Sequence, residues 1–205
     1  LMAFLMAFSI GIVINQQSGR KAMVVEEANA IGTAWLRAGF LDEADKTTAR
    51  ALLQEYAEVR LGAAENPETY PAAITRSEEI HGELWAIMED LVNIQGYDTD
   101  VTALVIESIN DVIDVHALRI TAANLRLPNI LGFVLFVATV LSFLLVGVST
   151  SADRKRDTAA MVLYALALVA VLIIIVDLDR PQGGNLTVSQ AAMADLLESM
   201  QATGQ

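Results

Sequence analysis

The sequence predicts an all-α membrane protein: transmembrane helices, three of them visible and the first truncated, joined to a helical extramembrane domain of long helices. Three observations carry this. Hydrophobic residues make up 54% of the chain while 19% are charged, a mixture expected of neither an ordinary soluble domain nor a chain wholly in lipid. Two apolar runs, at 129–148 and 159–176, have the length of a membrane span and contain no charged residue. Between the first apolar run and this pair lie about 110 residues patterned almost throughout at helical spacing, with no strand alternation.

The first element is the apolar run 1–14. As a helix it rises about 21 Å, short of a hydrocarbon core of roughly 30 Å. It is therefore expected to continue before Leu1. The stretch "VVEEANAIGTAWLRAGFL" at 24–41 also reads as helix, with Glu26, Glu27, Asn29, Thr33 and Arg37 set among Ala, Val, Trp and Leu. Asp42 is placed to cap a helix running to about Ala64, with Leu52, Leu53, Tyr56, Val59 and Leu61 on one side. "NPETYP" ends that pattern. A second helix from about Ala73 to Gln95 carries Ile80, Leu84, Ile87, Leu91 and Ile94, and "GYD" breaks it.

A third helix starts near Asp98. Its stripe is Val101, Leu104, Val105, Ser108, Ile109, Val112, Ile113, His116 and Ile120. With no stop signal before Pro128, it is expected to run into the membrane as one rod. The runs 129–148 and 159–176, joined by "STSADRKRDT", form a transmembrane hairpin. After it "DLDRPQGG" is a turn, and "TVSQAAMADLLESMQ" is a short amphipathic helix capped by Thr187 or Ser189. The resulting division is a membrane helix at 1–15, a helical domain at 16–127, membrane helices at 128–148 and 159–177 around a basic loop at 149–158, and a tail at 178–205.

Sidedness follows from charge. Arg154, Lys155 and Arg156 mark the hairpin loop as cytoplasmic under the positive-inside rule, which puts the domain and the tail together on the extracytoplasmic side. Arg20, Lys21, Arg119, Arg126 and Arg180 near the opposite membrane ends weigh against this. The net charge of −12 leaves no basic stripe for nucleic acid. Cysteine is absent, which removes disulfides, thiolate metal sites and cysteine nucleophiles.

The shared side brings "EEANAIG" and "DLDRP" to one bilayer depth. Glu26, Glu27, Asn29, Asp177, Asp179 and Arg180 are the candidate interfacial or vestibule residues. Glu26 or Glu27 is expected to pair with Arg180, and Asp177 or Asp179 with Arg20 or Lys21. Two readings stand: a latch of salt bridges and caps, or a polar vestibule where ions gather. "EEANAIGTAW" is then the membrane-proximal part of a helix leaving the bilayer, its acids facing "DLDRP". Ala3, Ala7 and Gly11 form a small-residue seam that permits close helix packing, within or between protomers.

The stretch "VVEEANAIGTAWLRAGFLDEADKTTARALLQEYAEVRL", followed by two membrane helices and "DLDRP", resembles the bestrophin-like domain family, bacterial membrane proteins of unknown function. The motifs "EANAIGTAWLR" and "LDRP" carry the likeness, which covers most of the chain. Members have a further membrane helix before the position of Leu1. The family is likened by name to bestrophins, which are pentameric anion channels. The resemblance thus implies a homo-oligomer, a pentamer by that likeness, and a channel.

No catalytic signature is present, and neither an enzyme nor a cofactor is expected. The membrane segments hold no Asp, Glu, Lys, Arg or His, which disfavours proton relays and coupled transport. A passive pore needs only apolar and hydroxyl linings; Ser9, Thr139, Ser142 and Tyr164 are the polar side chains available, each better read as a helix–helix hydrogen bond. His81, among Glu78, Glu79 and Glu83, reads as solvated helix charge, and His116 as a satisfied core histidine. Trp35 and Trp85 read as core or interface anchors. "DTDVTALVIESI" lacks the glycine and glutamate of a calcium loop. The expected function is a homo-oligomeric ion pore in the bacterial inner membrane, in contact with lipid and ions. The alternative is a membrane-anchored scaffold or accessory subunit whose acidic helices bind a protein partner.

Overall fold

The computed structural model describes residues 2–93, 98–149, 157–180 and 186–203. Every regular element among them is helical, and no strand occurs. The order is α1 (Met2–Arg37), a 3-10 turn (Ala38–Phe40), α2 (Glu43–Glu65), a 3-10 turn (Pro67–Thr69), α3 (Tyr70–Asn93), α4 (Thr99–Asn124), α5 (Asn129–Ser149), α6 (Asp157–Asp179) and α7 (Ala191–Thr203). Three stretches are long and apolar enough to cross a membrane, within 2–40, within 99–147 and at Met161–Asp179. The predicted basic loop with Arg154, Lys155 and Arg156 lies outside the described residues, as do Ile94 and Pro181.

The chain divides into two compact units, Leu1–Gly19 with Asn124–Thr187, and Arg20–Ala123 with Val188–Gln205. The first is apolar. Met2, Met6, Leu135 and Leu168 are its buried centre, flanked by Leu5, Leu127, Ala138, Phe143, Val171 and Leu172. The hydroxyls of Ser9, Thr139 and Ser142 bond back to the carbonyls of Leu5, Leu135 and Ala138 at 2.8, 2.7 and 2.7 Å. Ser9 and Ser142 are thus satisfied inside their own helices, while the Thr139 hydroxyl also reaches Met2 Sδ of α1 at 4.0 Å, the cross-helix contact that the sequence suggested. Tyr164 borders an apolar hollow of about 590 Å³ with Met2, Leu5, Phe133 and Leu141.

The second unit is a helical bundle. Nothing interrupts α1 at residue 15, because the polar run "NQQSG" contains no proline and an isolated glycine costs a helix only about 1 kcal/mol. Asp42 starts α2 as expected: its carboxylate accepts from Ala44 N at 3.1 Å and Asp45 N at 2.9 Å. Asp98 does the same for α4, accepting from Asp100 N at 2.9 Å, so the calcium-like "DTD" is a helix cap. α2 packs against α3 and α7. Leu52, Leu53, Tyr56, Ile80, Leu84, Leu91, Val105, Ile109 and Val112 fill the core with Ile31 and Trp35 of α1 and Met193 and Leu197 of α7. Leu104, expected in the stripe of α4, is instead 42% exposed at its edge.

One expectation fails outright: α4 and α5 are not a single rod. The chain leaves helical geometry at 125–128. Pro128 cannot donate, and it pushes the preceding residue out of the α region. The Leu127 N–H, released from the helix ladder, donates to Asp179 Oδ1 at 2.6 Å.

Candidate functional site: a buried charge cluster

The helical unit encloses a group of polar side chains that composition alone would place on the surface. Glu27, on the α1 face that carries Val24, Ile31 and Ala34 inward, is fully buried. Its Oε1 accepts from the Tyr56 hydroxyl at 2.7 Å and from Arg60 Nε at 3.2 Å, both on α2. Its Oε2 accepts from Arg119 Nη1 of α4, in close contact. Arg119 Nη2 in turn donates to Gln190 Oε1 at 2.9 Å, just before α7. One carboxylate therefore ties α1, α2 and α4 together, and through Arg119 the start of α7.

Two imidazoles complete the cluster. The rings of His81 (α3) and His116 (α4) stand edge to face, centroids 4.8 Å apart, and Tyr56 lies 4.9 and 5.9 Å from them. His116 Nδ1 is 2.9 Å from the Tyr56 oxygen. The tyrosine has one proton, and an ionised carboxylate only accepts, so that proton goes to Glu27. His116 must then donate from Nδ1, which leaves its Nε2 bearing the lone pair. Among the described residues, the Nε2 atoms of His81 and His116 and Nη1 of Arg60 are buried without a hydrogen-bond partner.

The electrostatics follow from this geometry. Burial alone would raise the Glu27 pKa, but the guanidiniums of Arg60 and Arg119 and the Tyr56 hydroxyl outweigh it and hold the carboxyl below its ordinary value. Burial and the adjacent Glu27 push the Tyr56 hydroxyl well above its usual range. Burial, with Arg60 beside them, lowers both histidines from 6.5 to about 4, so at neutral pH they are uncharged. The cluster then carries two positive charges against one negative.

The candidate residues read from sequence fall in different places. Glu27, which with Glu26 was one of two acids expected to offer a partner to Arg180, is engaged by Arg60, Arg119 and Tyr56. Glu26 and Asn29 are exposed on the opposite side of α1. Asp177 Oδ2 accepts from Leu186 N at 3.0 Å, Asp179 caps Leu127 N, and Arg180 is exposed with its own N–H on the Asp177 carbonyl at 3.2 Å. Arg20 is buried and donates from Nε to the Ala122 carbonyl at 3.3 Å. Ala3, Ala7 and Gly11 line an exposed face of α1, and no atom lies within 4 Å of where a Gly11 side chain would begin. His81 is buried, not solvated; His116 is a core residue, but satisfied at one nitrogen only. Trp35 is a core anchor under the Arg50 guanidinium, 4.0 Å from its ring centroid, while Trp85 is 37% exposed.

Sequence reading missed Arg60, Arg119, Tyr56 and Gln190 as a polar set. The signal was there in phase: Arg60 lies one turn past Tyr56 and two past Leu53, and Arg119 lies two turns past Val112, so each arginine falls on a buried stripe. Among the described residues, no three His, Asp or Glu side chains gather in a way that would hold a metal ion.

No curated protein matches the chain in comparison, and no solved structure does. A family model described as the Bestrophin-like domain matches residues 1–193, from the first membrane helix through the start of α7. With that match over most of its length, an all-helical fold and three membrane-length apolar stretches, the chain belongs to the bestrophin-like family.

Proposed function

We infer that the protein is a homo-oligomeric pore passing ions down their gradient across the bacterial inner membrane. The match to the bestrophin-like family over residues 1–193 carries the reading. The absence of Asp, Glu, Lys, Arg and His from 2–14, 129–148 and 159–176 agrees with passive conduction, since coupled transport uses such groups within the membrane. The exposed small residues Ala3, Ala7 and Gly11 suit close approach of a second copy of α1. The basic loop residues Arg154, Lys155 and Arg156 favour a cytoplasmic hairpin loop and an extracytoplasmic helical domain. Of the acidic pair at 26 and 27, Glu26 is the one whose charge reaches solvent and acts on passing ions; the Glu27 charge is spent on Arg60 and Arg119.

The test is reconstitution into a planar bilayer under asymmetric salt, with the oligomer measured on the same preparation by native mass spectrometry. The expected result is discrete conductance with a defined reversal potential from a species of more than one chain, and a shift of that potential in Glu26→Gln. A silent bilayer containing correctly inserted protein overturns the pore and leaves the scaffold as the better account.

A further inference from the structure

We propose that His81 and His116 form an acid-operated latch, which holds α3 against α4 while both rings are neutral and releases them when either ring takes a proton. The latch is a property of the helical unit and does not rest on conduction.

The geometry supplies both states. In the neutral state the two rings pack edge to face at 4.8 Å across the α3–α4 boundary, each also against Tyr56 of α2. The groups facing them are Glu27 from α1, Tyr56 and Arg60 from α2, and Arg119 from α4. Glu27 is the one acid among these, and it already accepts three hydrogen bonds and balances two guanidiniums. A proton can enter His116 only at Nε2, because Nδ1 donates to Tyr56. Nε2 is also the buried, unpartnered nitrogen of His81. Once protonated, either ring holds an Nε2–H with no acceptor and puts a third positive charge beside two others.

Glu27, the one carboxylate near the rings, is already shared by two guanidiniums, so a further buried cation whose new N–H lacks an acceptor is strongly disfavoured in a packed core. The rings must separate and admit water. Their downward pKa shift, caused first by burial, has the same origin: the folded state resists the proton. These are the only two histidines of the chain. Carboxylates also titrate near pH 4, so a variant lacking both rings separates their effect from the latch's.

Because there are only two, ¹³Cε1-labelled histidine in the full-length chain in micelles gives two resonances that report each ring directly. The chain has no cysteine, so spin labels at Glu78→Cys (α3) and Ala117→Cys (α4), both exposed positions, report the spacing of the two helices by pulsed electron resonance. Both rings should stay neutral at pH 6.5 and titrate nearer pH 4, with the label distance lengthening and broadening over the same interval. His81→Gln/His116→Gln should keep the short distance through that interval. Rings that titrate near their ordinary value overturn the latch. So does a spacing that stays fixed once they are protonated, or helices that part while the rings are still neutral. The last two comparisons use native histidines, so they decide the matter even where the double variant does not fold.

Discussion

Glu27→Gln isolates the electrostatic work of the cluster, because it keeps the shape and one acceptor but removes the only negative charge. Tyr56 can still donate to the amide oxygen. Arg60 and Arg119 then share a core with no counter-ion. Arg119 retains 12% side-chain exposure and can relax toward water; Arg60, at 1%, cannot. Breaking one side of a buried ion pair costs about 3–5 kcal/mol, and this falls on a domain whose whole stability is of the order of 5–15 kcal/mol. Arg60→Met is the contrasting change: Glu27 keeps Arg119, so the loss is that of one charged hydrogen bond, about 1.5–3 kcal/mol. The double variant Glu27→Gln/Arg60→Met removes the stranded charge and should be more stable than Glu27→Gln alone. Denaturant unfolding in micelles, followed through the buried Trp35, gives all three values and their coupling. A Glu27→Gln cost below about 1 kcal/mol, or losses that simply add in the double variant, would refute the claim that this charge organises the core.

Four further outcomes are expected. Both histidines have folded pKa values lowered from 6.5 to about 4, so the stability they confer is complete above pH 6.5 and drains away as the pH falls toward 4; the ceiling is about 3 kcal/mol for each ring, and unfolding midpoints measured from pH 7 to pH 4 should flatten in His81→Gln/His116→Gln. Asp42→Ala removes the acceptor for two N–H groups at the start of α2 and should cost about 1 kcal/mol by the same unfolding assay, with Asp42→Asn much milder. Gly32 lets Leu196 of α7 approach to 3.2 Å from the point where a side chain would begin, so Gly32→Leu should cost about 1–3 kcal/mol and raise hydrogen exchange selectively over 191–203. Asp179→Ala strands the Leu127 N–H and should lower the thermal midpoint in micelles, but less so when Pro128→Ala lets that N–H find a helical carbonyl; equal losses in both backgrounds would count against the capping role.

Most of the helices were legible because each is written locally. The cap at Asp42, the break at Asn66–Pro67 and the apolar phase of Leu53, Tyr56, Leu84 and Val112 depend on neighbours within a few residues. The candidate site was not legible, because its partners lie far apart in the chain and the same residue types usually mark a surface. Glu26 and Glu27 show the difficulty most sharply. They are identical and adjacent, yet a helix turns about 100° between them, so one reaches solvent and the other the core. Only the phase against Val24, Ile31 and Ala34 separates them, and an acid on that phase reads as an error until its cations are found. The same holds for His81, whose acidic neighbours Glu78, Glu79 and Glu83 are exposed while it points inward with Ser77, Ile80 and Leu84. The rod expected from Asp98 through the hairpin failed for another reason: Pro128 is tolerated at a helix start, and a sequence does not say whether that start is also another helix's end.

The cluster also bears on how the helical unit holds together. Its six side chains come from α1, α2, α3 and α4, and Gln190 adds the approach to α7. The pairs leave parts of it open: α2 with α3 leaves Arg60 uncompensated, and α4 without α1 leaves Arg119 without its carboxylate. A hydrophobic core tolerates a partly docked helix at a cost graded by area, whereas the hydrogen bonds of a buried charge set are complete only when every contributor is in place. The unit should therefore dock its helices together rather than one at a time. Its exposed surface, where Arg76 spans Glu55, Glu79 and Glu83, adds little to that cooperativity because water screens those pairs. A proton on either histidine reverses the logic at its centre. It upsets the balance for all four helices at once, so a local titration is read out by the whole unit.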